Sequence, residues 1–267
     1  MPQLRALGFC GADDSVHPHH LVVLAQAYPR VEFGVLFRPD LEGRPRYATT
    51  AWVERLSHAM ASVSCSNMKL AAHLCGSRVN DVLRGDTAFI EQLEKWGFKR
   101  VQINATAVNG VDTSRLAEAV PALCDIISKY SALEFILQKN DETEPLCNGL
   151  SSHYLSGERK LPSNLSFLVD ESKGTGVAPI KSWPSATGAY PIGYAGGIGP
   201  ANIQQVLEET SAAAGEHPFW IDMESSLRSI KNGVDVFDLD KCFLVMEAVC
   251  EAGLMERPHY LVMYNKE

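Results

Sequence analysis

Short apolar runs recur along the chain at nearly even intervals, and polar or amphipathic segments separate them. Each run has the length and the Val, Ile, Leu and Phe content typical of a buried β-strand. The interval between runs is roughly that of one strand–helix unit. The eight predicted strands occupy residues 4–9, 31–37, 68–74, 100–104, 133–138, 165–170, 191–195 and 218–222.

Most segments between the runs carry the apolar stripe of an amphipathic helix, with helix-starting residues in front of it. The predicted N-terminal caps are Thr50, Asp86 or Thr87, Asp112 and Asp238. Two links are less regular. Residues 142–161 have a modest helical pattern interrupted by glycines, and residues 172–189 are rich in Gly, Ser and Pro and are predicted to be mostly loop.

This alternation of eight strands and helices predicts an α/β fold, a single-domain (β/α)8 TIM barrel that spans residues 1–267. A doubly wound open sheet is the competing architecture. It more often carries a glycine-rich turn after its first strand, whereas this chain has its glycine-rich turn after the seventh.

The seventh strand leads into Gly196, Gly197 and Gly199, with Pro200 predicted as the first residue of the next helix. Glycines let the backbone approach an anion, and a helix N-terminus offers free N–H groups. The spacing fits neither G-x-G-x-x-G nor a Walker loop. A tight turn without a ligand remains an alternative, but the loops after strands seven and eight are where barrels usually hold phosphate.

Composition narrows the function. The chain has 267 residues, 46% of them hydrophobic, and a formal net charge of −8, which argues against general nucleic-acid or anionic-membrane binding. Its seven cysteines are odd in number and form no C-x-x-C pair, so we expect a reducing compartment without a disulfide framework. No signal peptide or membrane-spanning run is apparent, and we expect a cytoplasmic monomer or homodimer.

Polar groups cluster at the C-terminal ends of the predicted strands, where barrel enzymes place their active sites. These residues are Cys10, Arg38, Asp40, His73, Gln102, Asn104, Gln138, Lys139, Asp170, Asp222 and Glu224. Cys10 could act as a base or nucleophile, although an isolated cysteine at a strand end is often an inert hydrophobe. Asp170 closes a very apolar strand and suits general-acid work, and a loop-capping role is its alternative.

Six short segments, in chain order, resemble motifs of the phosphoribosylanthranilate isomerases, a TIM-barrel family of tryptophan biosynthesis. They are Phe-Cys-Gly at 9–11, Gly-Val-Leu-Phe at 34–37 followed by Arg-Pro-Arg-Tyr at 44–47, Val-Gln at 101–102, Leu-Val-Asp at 168–170 followed by Gly-Thr-Gly at 174–176 and Trp183, Ala-Gly-Gly at 195–197 with Pro200 and Asn202, and Asp-Met-Glu-Ser-Ser at 222–226.

The resemblance implies an Amadori-type aldose–ketose isomerisation of a phosphorylated sugar derivative, with no metal and no organic cofactor. By the same resemblance Asp170 is the general acid, Cys10 the general base, and Arg46 the residue that binds a substrate carboxylate. It implies phosphate binding by Gly174, Gly176, Gly196, Gly197, Ser225 and Ser226. The other strand-end groups expected to contact substrate are His73, Gln102, Asn104, Asp222 and Glu224.

The chain also departs from that family. Asn104-Ala105 replaces a His-Gly, Lys173 replaces a glycine, and Glu224 and Arg228 flank the serines after strand eight. The loop from 38 to 46 is longer and more charged. We therefore expect the scaffold and the acid–base pair to be retained around an altered substrate pocket.

Two other functions are considered. A barrel lyase or epimerase would use His73, a Schiff-base Lys139, or a metal held by His73, Asp170, Asp222 and Glu224. A non-catalytic barrel would bind a ligand or a partner. His17, His19 and His20 also look like a metal cluster, but they are interpreted as exposed residues at a helix start.

Overall fold

The computed structural model describes residues 3–63, 68–155, 162–170, 182–186 and 190–258. Eight parallel strands form a closed barrel in chain order, and β1 pairs with β8 to complete it. The strands are β1 (Gln3–Cys10), β2 (Val31–Phe37), β3 (Lys69–Leu74), β4 (Arg100–Ile103), β5 (Glu134–Lys139), β6 (Leu165–Val169), β7 (Ile192–Ala195) and β8 (Pro218–Met223). The predicted single-domain barrel is confirmed, and each predicted strand overlaps an observed one.

Helices cover the outside of the barrel. In the described ranges they are α1 (Pro18–Ala27), α2 (Thr50–Ser62), α3 (Ser77–Leu83), α4 (Ala88–Lys95), α5 (Val120–Lys129), α6 (Glu144–Leu155), α7 (Ile203–Ala214) and α8 (Leu239–Glu251). The irregular segment 142–161 thus contains helix α6. Of the predicted loop 172–189, only residues 182–186 are described, and they form neither helix nor strand. None of the described helices has the length and apolar character needed to cross a membrane.

Local hydrogen bonds decide where the helices begin. Asp238 caps α8 as predicted, but α2 is capped by Thr49, whose Oγ1 accepts from the Trp52 amide at 3.2 Å, and not by Thr50. Asp112 folds back on Ser114, so α5 begins only at Val120.

The prediction that Pro200 starts a helix is wrong. Pro200 lies in a turn closed by the Asn202 amide on the Gly199 carbonyl, and α7 starts at Ile203. A proline with a fixed φ suits such a turn as well as it suits a first helical position.

One element was not predicted. After β8 the chain forms a short 3₁₀ turn and an antiparallel hairpin, β9 (Arg228–Lys231) and β10 (Val234–Phe237). Asn232 and Gly233 join the two strands with φ of 53° and 78°. Positive φ at both central residues is the requirement of a type I′ turn, which Asn-Gly satisfies.

Side chains alternate along each strand between the barrel interior and the helix layer. A small cluster from five strands fills the interior, consisting of Ala6, Ile136, Leu168, Ala195 and Trp220. A side chain at Gly193 would place its Cβ 2.1 Å from the Trp220 ring, so glycine makes room for the indole. At the N-terminal side, Arg100 lies 4.3 Å from the Trp220 ring and pairs with Glu32 and Glu134.

Candidate active site

A cavity of about 440 Å³ opens at the C-terminal end of the barrel, above the interior cluster. Seven strands or the loops after them contribute to its wall. The lining residues predicted from the sequence are Arg46, His73, Gln102, Asn104, Gln138, Asp170, Gly196, Gly197, Asp222, Glu224, Ser225 and Ser226. The structure therefore brings nearly all of the predicted site residues to one place. Tyr47 and Asn109 line the same cavity and were not predicted.

Cys10 is in contact with His73, which lines the cavity. Its Sγ lies 3.3 Å from Nδ1 of His73, and the cysteine is 1% exposed. Burial, assisted by Arg100, lowers the pKa of His73 to about 3, so the imidazole is neutral. Burial and the nearby Glu224 and Asp222 raise the pKa of Cys10 well above its ordinary value. With a neutral thiol beside a neutral ring, the tautomer of His73 decides which of Sγ and Nδ1 donates the hydrogen.

Asp222 lies deep in the cavity, inside β8. Burial first, then repulsion from Glu32 and Glu224, raises its pKa well above the ordinary value. Its Oδ1 lies against Gly8, where an added Cβ would come within 2.3 Å. The carboxyl group thus occupies space that β1 leaves empty.

Glu224 follows β8 and is neutralised by its neighbour. The Arg46 Nη1 donates to Glu224 Oε1 at 3.0 Å and to Ser225 Oγ at 2.9 Å. Burial raises the pKa of Glu224, and Arg46 opposes the rise. The charge of Glu224 is therefore offset by the arginine that the resemblance assigned to a substrate carboxylate.

Asp170 ends β6 as a buried residue, as expected for a carboxyl that closes an apolar strand. The Gln138 amide donates to its Oδ2 at 2.6 Å. The Gln138 Oε1 has no hydrogen-bond partner among the described residues, although it is buried. Gln138 fixes the orientation of Asp170 while its own carbonyl oxygen is left available to a bound molecule.

A chain of amide groups forms another wall. Gln102 Nε2 donates to Asn104 Oδ1 at 2.8 Å, and Asn104 Nδ2 lies 3.5 Å from Cys75 Sγ. The Cys75 thiol lies 3.6 Å from Asn109 Oδ1. These contacts orient the two predicted amides toward the cavity.

The loop after β7 is held in shape by its own side chains. Asn202 Oδ1 accepts from the Gly199 amide at 2.9 Å, and its Nδ2 donates to the Gly197 carbonyl at 2.9 Å. Gly196 and Gly197 have φ of 111° and 64°. Within the described chain, the amides of Gly197 and Ile198 have no acceptor and can bind an anion.

The loop after β8 packs directly on this one. Ser226 Oγ donates to the Ile198 carbonyl at 2.5 Å, and a Cβ at Gly199 would lie 2.4 Å from the Ser226 Cβ. Ser226 is therefore occupied in joining the two loops, and Ser225 already binds Arg46. Ser225 Oγ only accepts from Arg46, so its O–H can still donate to an anion, together with the backbone amides of the loop after β7.

Arg228 does not face the predicted phosphate position. It is buried and donates to the Gly11 carbonyl and to Asp13 Oδ2, both at 2.8 Å, and to Asp235 Oδ1 at 2.8 Å. Its guanidinium anchors the β9–β10 hairpin to the loop after β1.

Sequence analysis missed Asp13. Its Oδ2 also accepts from the Arg46 amide at 2.6 Å, which holds Arg46 at a φ of 80°. Asp13 thereby connects the residue facing the cavity to the anchor of the hairpin. No local pattern could have shown this, because its partners are distant in sequence.

Two groups of predicted residues lie outside the cavity, and a third falls outside the described residues. Lys139 is exposed and lies 3.2 Å from the Tyr190 hydroxyl, outside the cavity, so the Schiff-base alternative loses its lysine. Arg38 and Asp40 pair with each other at 3.2 Å. Gly174 and Gly176 lie outside the described residues, as does Lys173.

The metal-binding alternatives also change. His17 Nδ1 accepts from the His19 amide at 3.2 Å and caps α1, which accounts for that histidine group structurally. In the described part of the chain, one group combines three potential ligand types within 4.8 Å: Cys10, His73 and Asp222. This group shares His73 and Asp222 with the predicted metal set.

No family model matches this chain, and no curated protein is detectably similar to it in sequence. The resemblance to phosphoribosylanthranilate isomerases is therefore supported only at the level of the TIM-barrel group.

Solved structures are similar in fold. A phospho-2-dehydro-3-deoxyheptonate aldolase (DAHP synthase) from Thermotoga maritima has a TM-score of 0.50 and 12% identity, over 95% of this chain and 71% of that one. A Rubisco from Pyrococcus horikoshii has a TM-score of 0.46 and 11% identity, over 94% of this chain and 59% of that one. At such identity the aldolase likeness shows the TIM-barrel fold alone.

Proposed function

We propose that the protein is an isomerase that converts a phosphorylated aldose derivative into its ketose by an Amadori-type rearrangement. The single observation that carries this proposal is the arrangement of the cavity, which is lined by Asp170, by His73 with Cys10 in contact behind it, and by Gly197 and Ile198 with their unpaired amides. An acid, a base and an anion site are the three parts that the reaction needs.

In the proposed reaction, Asp170 protonates the ring oxygen of an N-linked ribose phosphate as the C1–O bond breaks, which leaves a C1 iminium ion. Cys10 then removes the proton from C2, and the electrons of that C–H bond form the enolamine. The enolamine tautomerises to the ketose. Cys10 acts in its thiolate form, after the thiol proton has left for solvent, and the neutral His73 ring, whose Nδ1 contacts the sulfur, holds the sulfur in place.

Binding is assigned to groups around this pair. The amides of Gly197 and Ile198 hold the phosphate, and the nearby 3₁₀ turn of Ser225–Leu227 adds N–H groups from a second direction. Arg46 offers one cation to an acidic substituent, with Glu224 as its partner in the empty site. Gln102 and Asn104 supply amides for the sugar hydroxyl groups.

A second candidate is an epimerase or lyase that acts on a related phosphorylated metabolite. The proximity of Cys10, His73 and Asp222 favours it, since this donor set could hold a divalent cation that stabilises an enediolate. This candidate uses the same cavity and the same anion site.

Steady-state turnover of phosphoribosylanthranilate tests the family's own reaction, and no turnover would exclude that substrate. The broader proposal is tested by incubating a panel of aldose phosphates and their N-linked derivatives with the enzyme in D₂O. An isomerase forms the ketose and places solvent deuterium on the carbon skeleton. Cleavage of a C–C bond, or inversion without ketose formation, would instead support the second candidate.

A further inference from the structure

The potential metal ligands of the barrel mouth come from three strands that are distant in sequence. Cys10 ends β1, His73 lies in β3 and Asp222 lies in β8, and one ligand atom of each lies within 4.8 Å of the others. We propose that Cys10, His73 and Asp222 form a binding site for one zinc-type divalent cation, with a fourth coordination position open to the cavity. The inference rests on this geometry and does not depend on the proposed isomerase function.

The distance between the sulfur and the ring nitrogen suits a shared ion. Zinc lies about 2.3 Å from a cysteine sulfur and about 2.0–2.1 Å from a histidine nitrogen, so tetrahedral ligands of these types lie roughly 3.5 Å apart. Cys10 Sγ and His73 Nδ1 are 3.3 Å apart. An ion can therefore replace the thiol proton between them with little movement of either side chain.

The charges around the site also favour a cation. Asp222 and Cys10 are surrounded by further acidic groups, and Glu224 and Glu32 both act on Asp222. Two arginines close to the site are paired with other acids, Arg46 with Glu224 and Arg100 with Glu32 and Glu134. A divalent ion would add positive charge beside the sulfur of Cys10 and the carboxyl group of Asp222.

His73 presents a ring nitrogen to the proposed ion. It is buried, and its Nδ1 is the atom that faces the Cys10 sulfur. Imidazole binds a divalent cation through the ring nitrogen that carries no hydrogen, so metal binding at Nδ1 places the ring hydrogen on Nε2.

Two glycines provide the space for this arrangement. An added Cβ at Gly34 would lie 2.9 Å from His73 Nε2, and one at Gly8 would lie 2.3 Å from Asp222 Oδ1. The imidazole and the carboxylate thus rest against bare backbone of β2 and β1. A side chain at either glycine would displace a ligand.

His73 and Asp222 line the cavity, so the remaining coordination position of the ion faces substrate. Three protein ligands with one open position are typical of catalytic zinc sites. A bound metal would hold Cys10 as a ligand, so it would inhibit the isomerisation proposed above. If the metal instead activated the enzyme, that activation would support the epimerase or lyase alternative.

The test uses the full chain purified without a histidine tag and titrated with Co²⁺ and then Zn²⁺. We expect one Co²⁺ per chain, a thiolate-to-cobalt charge-transfer band in the near ultraviolet, and loss of that band when Zn²⁺ displaces cobalt. Cys10→Ser should abolish the band, and Asp222→Asn should weaken metal affinity by more than about tenfold. Cys75→Ser is the matched control, because Cys75 packs beside Cys10 and Leu36 but is outside the ligand group, and it should keep the band.

A missing band in the wild-type protein, or a band that persists in Cys10→Ser, would overturn the proposal. Circular dichroism and cooperative unfolding check that the variants fold. If Cys10→Ser does not fold, X-ray absorption of the zinc-loaded wild type decides the matter, since one sulfur ligand supports the site and none refutes it. These readouts involve no turnover, so a failed isomerase assay leaves their outcome unchanged.

Discussion

Arg228 Nη2 donates to Asp13 Oδ2 at 2.8 Å, with side chains that are only 3% and 5% exposed. This buried ion pair joins the chain after β8 to the loop after β1, across the seam where the barrel closes. Asp13 Oδ2 also accepts from the Arg46 amide. The same carboxylate therefore supports the β9–β10 hairpin and the backbone of a cavity residue.

Arg228→Ala should lower the free energy of unfolding by about 3–5 kcal/mol, because it leaves the Asp13 carboxylate buried without its partner. Denaturant unfolding measures the change. The control is Arg115→Ala, which removes an ion pair with Glu118 between two exposed side chains and should cost no more than about 1 kcal/mol. Equal losses in the two variants would contradict the role assigned to Arg228.

Asp170→Asn and Cys10→Ala should each reduce kcat for the isomerisation by about 10²–10⁴-fold, the usual contribution of one acid or base. Both variants should remain folded by circular dichroism. Lys139→Ala is the control, since Lys139 is exposed and lies outside the cavity, and its kcat should equal that of the wild type. A kcat unchanged by the Asp170 substitution would remove the acid from the mechanism.

Arg46 offers a test that separates backbone strain from substrate binding. Its φ of 80° is unfavourable for any residue except glycine, by about 1–2 kcal/mol. Arg46→Gly should therefore be more stable than Arg46→Ala, by about 0.5–1 kcal/mol after the greater freedom of unfolded glycine is deducted. Both variants should raise KM for an acidic substrate by similar factors. A KM change in only one of them would point to the loop backbone and not to the guanidinium.

Gly199→Ala should separate the loops after β7 and β8, because the new methyl group would lie 2.4 Å from the Ser226 Cβ. We expect a loss of about 1–3 kcal/mol in stability and a smaller rise in Tm on adding inorganic phosphate. Gly199→Ala combined with Ser226→Gly removes the clash and should restore part of both. If the double variant is no better than the single one, the contact between the loops is not what positions the amides.

The carboxylate of Glu134 should lose its stabilising effect on the fold in acid. Burial alone would raise its pKa, but Arg100 and Arg5 attract the carboxylate and hold its pKa below the ordinary 4.5. The stabilisation is present above about pH 4.5 and is lost as the pH falls through the lower folded value. In urea titrations the stability gap between wild type and Glu134→Gln should narrow over that range. A gap that is constant with pH would contradict the prediction.

The recurring apolar runs were enough to place every strand of the barrel, because a strand buried on both faces leaves a continuous apolar run. Helix starts were predicted less well, since several polar residues compete for each cap. Thr49 and Thr50 both offer a hydroxyl, and only the path of the loop decides between them. The hairpin β9–β10 was missed although its Asn-Gly turn at 232–233 is a known signal.

Most of the polar residues that line the cavity could be predicted, because they stand at the ends of strands, where position in sequence is informative. Cys10, His73 and Asp170 followed from that rule, and Asp13 did not, since its contacts depend on loops that meet only in the folded protein. The rule also cannot separate the two faces of a strand. Both Gln138 and the adjacent Lys139 were predicted at a strand end, but Gln138 faces the cavity and Lys139 faces solvent.

The two glycines under the candidate metal ligands have a consequence for tracing the ancestry of this chain. Gly8 and Gly34 lie beneath Asp222 and His73, so a lineage that acquired a larger residue at either position would have had to abandon the corresponding ligand. In related barrels, Gly8 should therefore be kept or lost together with Asp222, and Gly34 together with His73. A genomic survey of diverged barrels could follow these couplings where overall sequence similarity has vanished.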